Sequence, residues 1–110
     1  MEHLKIISDI QELTALNKKG VEALFEAEEV LAHAENELDT VEARAFLSAE
    51  GSVADRTAQA KLDAAEARLA RDLARASVNR IKTKLRVIES ELVAQSTMAK
   101  IMQAETRLQP

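Results

Sequence analysis

Cysteine, tryptophan and tyrosine are absent from this chain of 110 residues, which has only two phenylalanines, two glycines and one proline. The absence of cysteine excludes a disulfide scaffold, a zinc site with thiolate ligands and a cysteine nucleophile. The scarcity of aromatic residues argues against a broad, aromatic-filled core. Sandwiches, barrels and repeated crossover connections need more turn residues than two glycines and one proline supply. The composition therefore predicts a single all-α domain over residues 1–110.

Neither the charge nor the hydropathy of the chain points to nucleic acid or a membrane as its main partner. The formal net charge is -4, whereas binding of the whole molecule to nucleic acid or to an anionic membrane usually needs a basic footprint. No apolar run reaches 18 residues, and the start of the chain, Met1 to Asp9, lacks the basic stretch and apolar run of a signal peptide. We expect a cytoplasmic protein that makes no membrane contact.

The strongest break in the sequence is Glu50-Gly51-Ser52, with Asp55 three residues after the serine. Glycine tolerates the left-handed conformation at a helix end, and the serine and aspartate side chains can bond the free amides of a new helix. The only proline, Pro110, is the last residue, so no proline interrupts the second helix. The prediction is a helix over about residues 3–49, a turn at 50–52 and a second helix over about 53–108.

The other glycine, Gly20, ends the polar run Asn17-Lys18-Lys19-Gly20. It predicts either a kink or short loop at residues 17–20, or a helix that runs through at a cost of roughly 1 kcal/mol relative to alanine. We expect a continuous or bent helix.

Apolar residues along the first helix repeat every seven residues at two alternating positions, a pattern typical of a coiled coil. Asn17 and Gly20 fall in the same register and mark its weakest part. Along the second helix the spacing slips between Leu73 and Val78, which we interpret as a local change in supercoil. We call the row of residues by which each helix packs on the other its seam. The predicted seam of the first helix is Ile6, Ile10, Leu13, Leu24, Ala27, Leu31, Ala34, Leu38, Val41 and Ala45. The predicted seam of the second helix is Leu62, Ala65, Leu69, Leu73, Ala76, Val78, Ile81, Leu85, Ile88, Leu92, Ala99 and Met102.

The two helices carry opposite charge. Residues 21–48 contain eight acidic side chains and one basic side chain, whereas residues 56–86 contain nine basic and three acidic side chains. A chain that folds back at Gly51 lays the acidic half along the basic half, and flanking charges of opposite sign select partner and direction in coiled coils. The sequence therefore predicts a long antiparallel helical hairpin.

Apolar residues outside the seam of the first helix call for a second surface, because two helices that touch along one stripe bury little area. We expect the hairpins to dimerise, most simply into a four-helix bundle; a helical tail that packs on the same molecule is the competing use of these residues. The candidate protein interface is Ile7, Leu16, Val21, Phe25, Val30, Phe46 and Leu47.

A basic run in the second helix offers an alternative function, because regularly spaced bases can track a phosphate backbone. The acidic helix is a competing partner inside the hairpin, and the near absence of aromatic residues leaves little on which to stack bases. The orientation of these bases once the acidic helix is in place decides between the two. The candidate nucleic-acid contacts are Arg68, Arg71, Arg75, Lys82 and Arg86.

No motif in the sequence indicates catalysis. Glycine-rich phosphate loops need glycines that the chain lacks, and a catalytic cluster needs a cleft that two-helix packing does not supply. His33 lies four residues from both Glu29 and Glu37, but the second helix has no histidine to complete a carboxylate-bridged metal site. We therefore expect no enzyme activity, cofactor or metal.

The stretch from Glu28 to Leu73 resembles a group of small helical proteins encoded by tailed bacteriophages and prophages. The resemblance covers about half of the chain and lies in an acidic, alanine-rich helix, the turn Glu50-Gly51-Ser52-Val53-Ala54-Asp55-Arg56, and a basic second helix. Genes of that group often lie near phage genes for recombination and single-strand DNA binding. The resemblance implies a phage or host protein of DNA metabolism as the partner, in the cytoplasm of a bacterial host, and it transfers no activity or site residues.

The sequence supports two functional hypotheses. In the first, the chain is a non-catalytic, oligomeric coiled-coil adaptor that binds another protein through its apolar flank or the ends of the bundle. In the second, it is an accessory nucleic-acid-binding protein that uses the basic second helix. A structural component of a phage assembly is also compatible with the length.

Overall fold

The computed structural model describes residues 2–108 and consists there of three α-helices with no strand: α1 (Glu2–Ser48), α2 (Val53–Asp63) and α3 (Ala65–Leu108). The prediction of an all-α helical hairpin is confirmed. Contacts divide the chain into two compact units. We call Phe25–Arg80 the turn unit, because it contains the reversal of the chain. We call Met1–Leu24 together with Ile81–Pro110 the terminal unit.

The reversal of the chain lies between α1 and α2. Gly51 has φ 106°, a backbone conformation that residues other than glycine rarely adopt. Ser52 caps α2: its Oγ accepts a hydrogen bond from the Asp55 amide at 3.2 Å, and Asp55 Oδ2 accepts one from the Ser52 amide at 3.3 Å. This reciprocal pair is a capping box, which satisfies two amides that a helix start leaves free.

The second arm is divided at Ala64, whereas the sequence predicts one helix over about 53–108. Ala64 has φ -91° and ψ 5°, outside helical values, and separates α2 from α3. Backbone hydrogen bonds still bridge it, because the Ala64 amide donates to Ala60 O at 3.0 Å and the Arg68 amide donates to Ala64 O at 2.9 Å. Nothing in the sequence explains a break at this alanine. The arm keeps its hydrogen bonding across the break.

The first arm packs by the predicted seam. All ten predicted positions, from Ile6 to Ala45, are buried or half-buried. Asn17 and Gly20 are half-buried in the same register, and α1 runs through both without interruption. A β-carbon added at Gly20 would lie 2.5 Å from Leu85 Cδ2, so the glycine allows a close approach of the two arms in the terminal unit. The weak point predicted from sequence is therefore a tight contact.

The second arm packs by a different face from the one predicted over its first half. Leu62, Ala65, Leu69, Leu73 and Ala76 were expected in the seam, and all five are exposed. The later predicted positions, from Val78 to Met102, are buried or half-buried as expected. The observed seam keeps an unbroken alternation of three and four residues, so no change of supercoil is needed. Its members are Ala60, Ala64, Ala67, Arg71 and Ala74, then Val78, Ile81, Leu85, Ile88, Leu92, Gln95, Ala99 and Met102.

The alanine face packs inward with basic side chains at its edge. Arg68 and Arg75 flank the alanine seam and meet carboxylates of α1. Small side chains also permit helices to approach closely. The leucines of this stretch face away from the first arm and are exposed.

Candidate interaction surfaces

Two ion pairs join the arms of the turn unit. Arg68 Nη2 lies 2.7 Å from Glu42 Oε1, with the two side chains 33% and 40% exposed. Arg75 Nη2 lies 3.7 Å from Glu35 Oε1. The two arginines are seven residues apart, as are the two glutamates. The later arginine pairs with the earlier glutamate, so the two arms run in opposite directions. These pairs therefore fix an antiparallel register for the turn unit.

The five candidate nucleic-acid contacts do not form one free basic surface. Arg68 and Arg75 face the acidic arm as described, and Arg71 is half-buried in the seam, where its Nε lies 2.7 Å from Asp72 Oδ1. Lys82 and Arg86 belong to the terminal unit and are exposed. Three of the five bases are thus engaged by carboxylates within the turn unit, and two face solvent in the other unit.

The seven candidate interface residues of α1 lie outside its seam. Five are exposed, by between 51% and 78%, and two, Val21 and Phe46, are half-buried. They do not share one face, because Ile7 and Val21 flank one edge of the seam and Leu16 and Val30 flank the other edge. The remaining three, Phe25, Phe46 and Leu47, lie further round the helix. Phe25 and Phe46 are 21 residues apart, which is three heptads, so they lie on one side of the helix, next to Leu47. We call the side of the first arm that carries Phe25, Phe46 and Leu47 the aromatic side; its two phenylalanines are about 30 Å apart at 1.5 Å per residue.

A further apolar surface lies on the second arm of the turn unit, where the sequence analysis expected a seam. Leu62, Leu69 and Leu73 are 71%, 59% and 63% exposed. With Ala76 they recur at spacings of seven, four and three residues, so they share one side of the arm. We call these four residues the outer leucine stripe. The repeat of these apolar residues is visible in the sequence. The sequence pattern does not reveal that this row and the alanine row of the seam lie on different faces of the arm.

The terminal unit contains a cleft of about 400 Å³ between the first turns of α1 and the last turns of α3. Ile6, Ile7 and Met102 contribute apolar lining, and Lys100 and Arg107 contribute basic side chains. Ile7 is the candidate interface residue that lines this cleft, whereas Phe46 and Leu16 each line another concave surface. The cleft contains no cluster of acidic or nucleophilic groups among its lining residues.

The isolated histidine on α1 gains no metal-ligating neighbours. His33 Nε2 lies 3.9 Å from Glu29 Oε1, and both side chains are largely exposed. Among residues 2–108, no three histidine, aspartate or glutamate side chains cluster in a way that could hold a metal ion. Within the same residues, no helix has both the length and the apolar character to span a membrane.

Comparisons with protein-family models, with curated proteins and with solved structures find no match to this chain.

Proposed function

We propose that this chain is a non-catalytic, oligomeric coiled-coil adaptor that self-associates and binds another protein. The observation that carries the proposal is the balance of large apolar side chains. Among the described residues, fifteen are exposed, whereas only Ile6, Leu38, Val78 and Leu85 are buried. Single exposed apolar residues are common on soluble proteins, but extended apolar patches mark interaction sites.

The aromatic side of α1 is the surface that we assign to the partner protein. Phe25 is 64% exposed and Leu47 is 78% exposed, with half-buried Phe46 beside Leu47. Aromatic side chains supply large contact areas and dominate many interfaces. A helical partner that lays its own apolar face along α1 would extend the bundle by one more helix.

The resemblance of the acidic helix, turn and basic helix to small phage-encoded proteins supports the biological part of the proposal. On that basis the partner is a phage or host protein of DNA metabolism, met in the cytoplasm of a bacterial host. The alternative function, accessory binding of nucleic acid, has support from Lys82 and Arg86, which are exposed. The pairing of Arg68 and Arg75 with Glu42 and Glu35 favours the adaptor.

The test is a pull-down with tagged protein from host lysate and from phage-infected lysate, with and without nuclease, followed by mass spectrometry. The wild type is compared with Phe25→Ser/Leu47→Ser. A matched control is Glu37→Ser, which changes an exposed polar residue beside the seam of the same helix. The adaptor proposal predicts a protein that survives nuclease, is lost with the double variant and is kept with the control.

Two other outcomes of the pull-down contradict the proposal. Material that disappears with nuclease, and whose capture falls steeply as salt is added, would indicate nucleic acid as the ligand. In that case Lys82→Gln/Arg86→Gln would abolish capture. Equal capture of the same proteins by the wild type and by Phe25→Ser/Leu47→Ser would remove the aromatic side of α1 from the interface.

A further inference from the structure

The outer leucine stripe is an apolar surface without a partner inside the turn unit. In this unit two large apolar side chains, Leu38 and Val78, are buried. Seven others are exposed, and three of the seven are the leucines of the stripe. From Leu62 to Ala76 the stripe is about 21 Å long at 1.5 Å per residue. It is therefore long enough to form the seam of a second helical pair.

The area that the hairpin buries by itself is small. On its second arm the seam of the turn unit consists of four alanines, Arg71 and Val78, so the leucines contribute little to packing between the arms. A short chain without disulfides or metals usually needs more buried apolar area than two helices provide, and oligomerisation is the common remedy. An outer row of leucines supplies the missing area.

Charges on the same side of the arm make this stripe complementary to itself. Glu66 and Arg80 lie seven residues before and seven residues after Leu73, so all three fall on one face of the helix. Both charged side chains are exposed, and neither forms an ion pair with a described residue of its own chain. An antiparallel copy would bring Glu66 towards Arg80 of that copy, twice about a two-fold axis. A parallel copy would oppose like charges.

From these observations we infer that a second copy of this chain binds to the outer leucine stripe. The two copies pack in antiparallel direction about an axis near Leu73. Leu69, Leu73 and Ala76 lie between the two Glu66–Arg80 pairs, and Leu62 lies just beyond a pair at each end. Such an interface is isologous, because the same patch serves both copies. The inference rests on the self-association in the proposed function and names its face, leaving the aromatic side of α1 to a different partner.

The first experiment measures mass by sedimentation equilibrium and helicity by circular dichroism. The wild type is expected at twice the chain mass of 12.1 kDa. Leu69→Glu/Leu73→Glu is expected at the mass of one chain, with a dissociation constant raised roughly 100-fold, since central apolar residues dominate interfaces. Helicity should persist because both positions are exposed. Leu47→Glu, a leucine-to-glutamate change on the other arm, is the matched control and should remain dimeric.

The second experiment determines direction by cross-linking, for which the absence of cysteine from the chain is an advantage. Leu73→Cys is expected to form a disulfide-linked dimer under mild oxidation, since it lies near the axis. Glu66→Cys alone should not cross-link. A mixture of Glu66→Cys and Arg80→Cys chains should yield the mixed dimer. A Glu66→Cys homodimer without the mixed dimer would overturn the antiparallel arrangement.

The outcomes separate this inference from the proposed function. A wild type that sediments as a monomer overturns the inference and the self-association part of the proposal, while partner binding is still decided by the pull-down. A dimer that persists in Leu69→Glu/Leu73→Glu overturns the inference alone. If both Leu47→Glu and Leu69→Glu/Leu73→Glu dissociate the dimer, the cross-linking experiment decides. Absence of the mixed Glu66→Cys/Arg80→Cys dimer then overturns the inference.

Discussion

The turn unit and the terminal unit solve the same packing problem with different side chains. In the turn unit the second arm contributes mainly alanines, and the ion pairs from Glu42 and Glu35 set its register. In the terminal unit both arms contribute large apolar residues, such as Leu13 on α1 and Leu92 on α3. Among the described residues, both ion pairs between α1 and α3 lie in the turn unit. Ion pairs thus fix the register in the unit where apolar bulk on the second arm is small.

Both units contain buried polar side-chain atoms without a partner among the described residues: Arg56 Nε in the turn unit, and two seam oxygens in the terminal unit. Asn17 and Gln95 are half-buried on its seam, and the side-chain oxygen of each is inaccessible and accepts no hydrogen bond from a described residue. A buried polar group without a partner costs about 1–3 kcal/mol. Large apolar neighbours offset that cost in the terminal unit. The alanine seam of the turn unit has no such reserve, which makes Leu38, its one buried leucine, important.

The largest expected effect comes from a charge on the seam of the turn unit. Leu38 is 6% exposed, and Leu38→Asp removes a buried side chain worth about 2–5 kcal/mol and adds an unpaired charge. We expect the free energy of unfolding, measured by urea titration with circular dichroism, to fall by more than that range. Leu47→Asp, at an exposed leucine of the same arm, should stay within about 0.5 kcal/mol of the wild type. Full helicity and an unchanged midpoint for Leu38→Asp would refute the seam.

A smaller effect distinguishes the two faces of the second arm. Ala74 is 8% exposed, whereas Ala76 is exposed. Ala74→Leu overpacks the seam and should lower the free energy of unfolding by about 1–3 kcal/mol. Ala76→Leu should not destabilise the hairpin. The same urea titration checks both variants, and the reverse order of stability would mean that the leucine face packs inward.

The close approach at Gly20 gives a prediction for the terminal unit. Gly20→Ala improves helix propensity by roughly 1 kcal/mol, but its β-carbon would lie 2.5 Å from Leu85 Cδ2. Overpacking of about 1–3 kcal/mol should cancel or exceed the gain. A double-mutant cycle with Leu85→Ala measures the coupling, and we expect Gly20→Ala to be less harmful, or favourable, in that background. Additive changes would contradict the contact.

The smallest effect is expected from the ion pairs. Glu42→Lys removes the attraction to Arg68, a partly exposed pair of a kind worth about 0–1 kcal/mol. The loss in the free energy of unfolding should shrink as salt is added, because screening weakens exposed charges. The double variant Glu42→Lys/Arg68→Glu should recover most of the loss. A loss independent of salt and of the second substitution would assign the effect to packing instead.

The predictable and unpredictable parts of the fold differ for physical reasons. The single turn could be predicted because Gly51, Ser52 and Asp55 satisfy local backbone needs. The seam of α1 could be predicted because one row of residues is clearly more apolar than the rest. On the second arm, alanines and leucines form two apolar rows, and hydropathy alone favours the leucines. The correct choice depends on contacts with the partner arm, which the local sequence does not specify.

The candidate surfaces show the same limit. Exposure of most of the α1 flank residues could be expected, since they fall outside a clear heptad. The division of the basic run between the two units could not be predicted, because it depends on the register between the arms. The outer leucine stripe was missed because its residues had been assigned to packing inside the hairpin. The break at Ala64 has no local signal, since alanine is the strongest helix former.

The most direct test of the central claim, that the second arm packs by its alanine face, is an intramolecular disulfide between the arms. Glu42 pairs with Arg68 across the seam; Leu38 lies one helical turn before Glu42 and Ala67 directly before Arg68, so we expect these two seam positions to face each other. Leu38→Cys/Ala67→Cys should close within one chain under mild oxidation, read by mass spectrometry as the loss of both free thiols without a dimer. Leu38→Cys/Leu69→Cys should not. Closure of the second pair, with the first left as free thiols, would contradict the account.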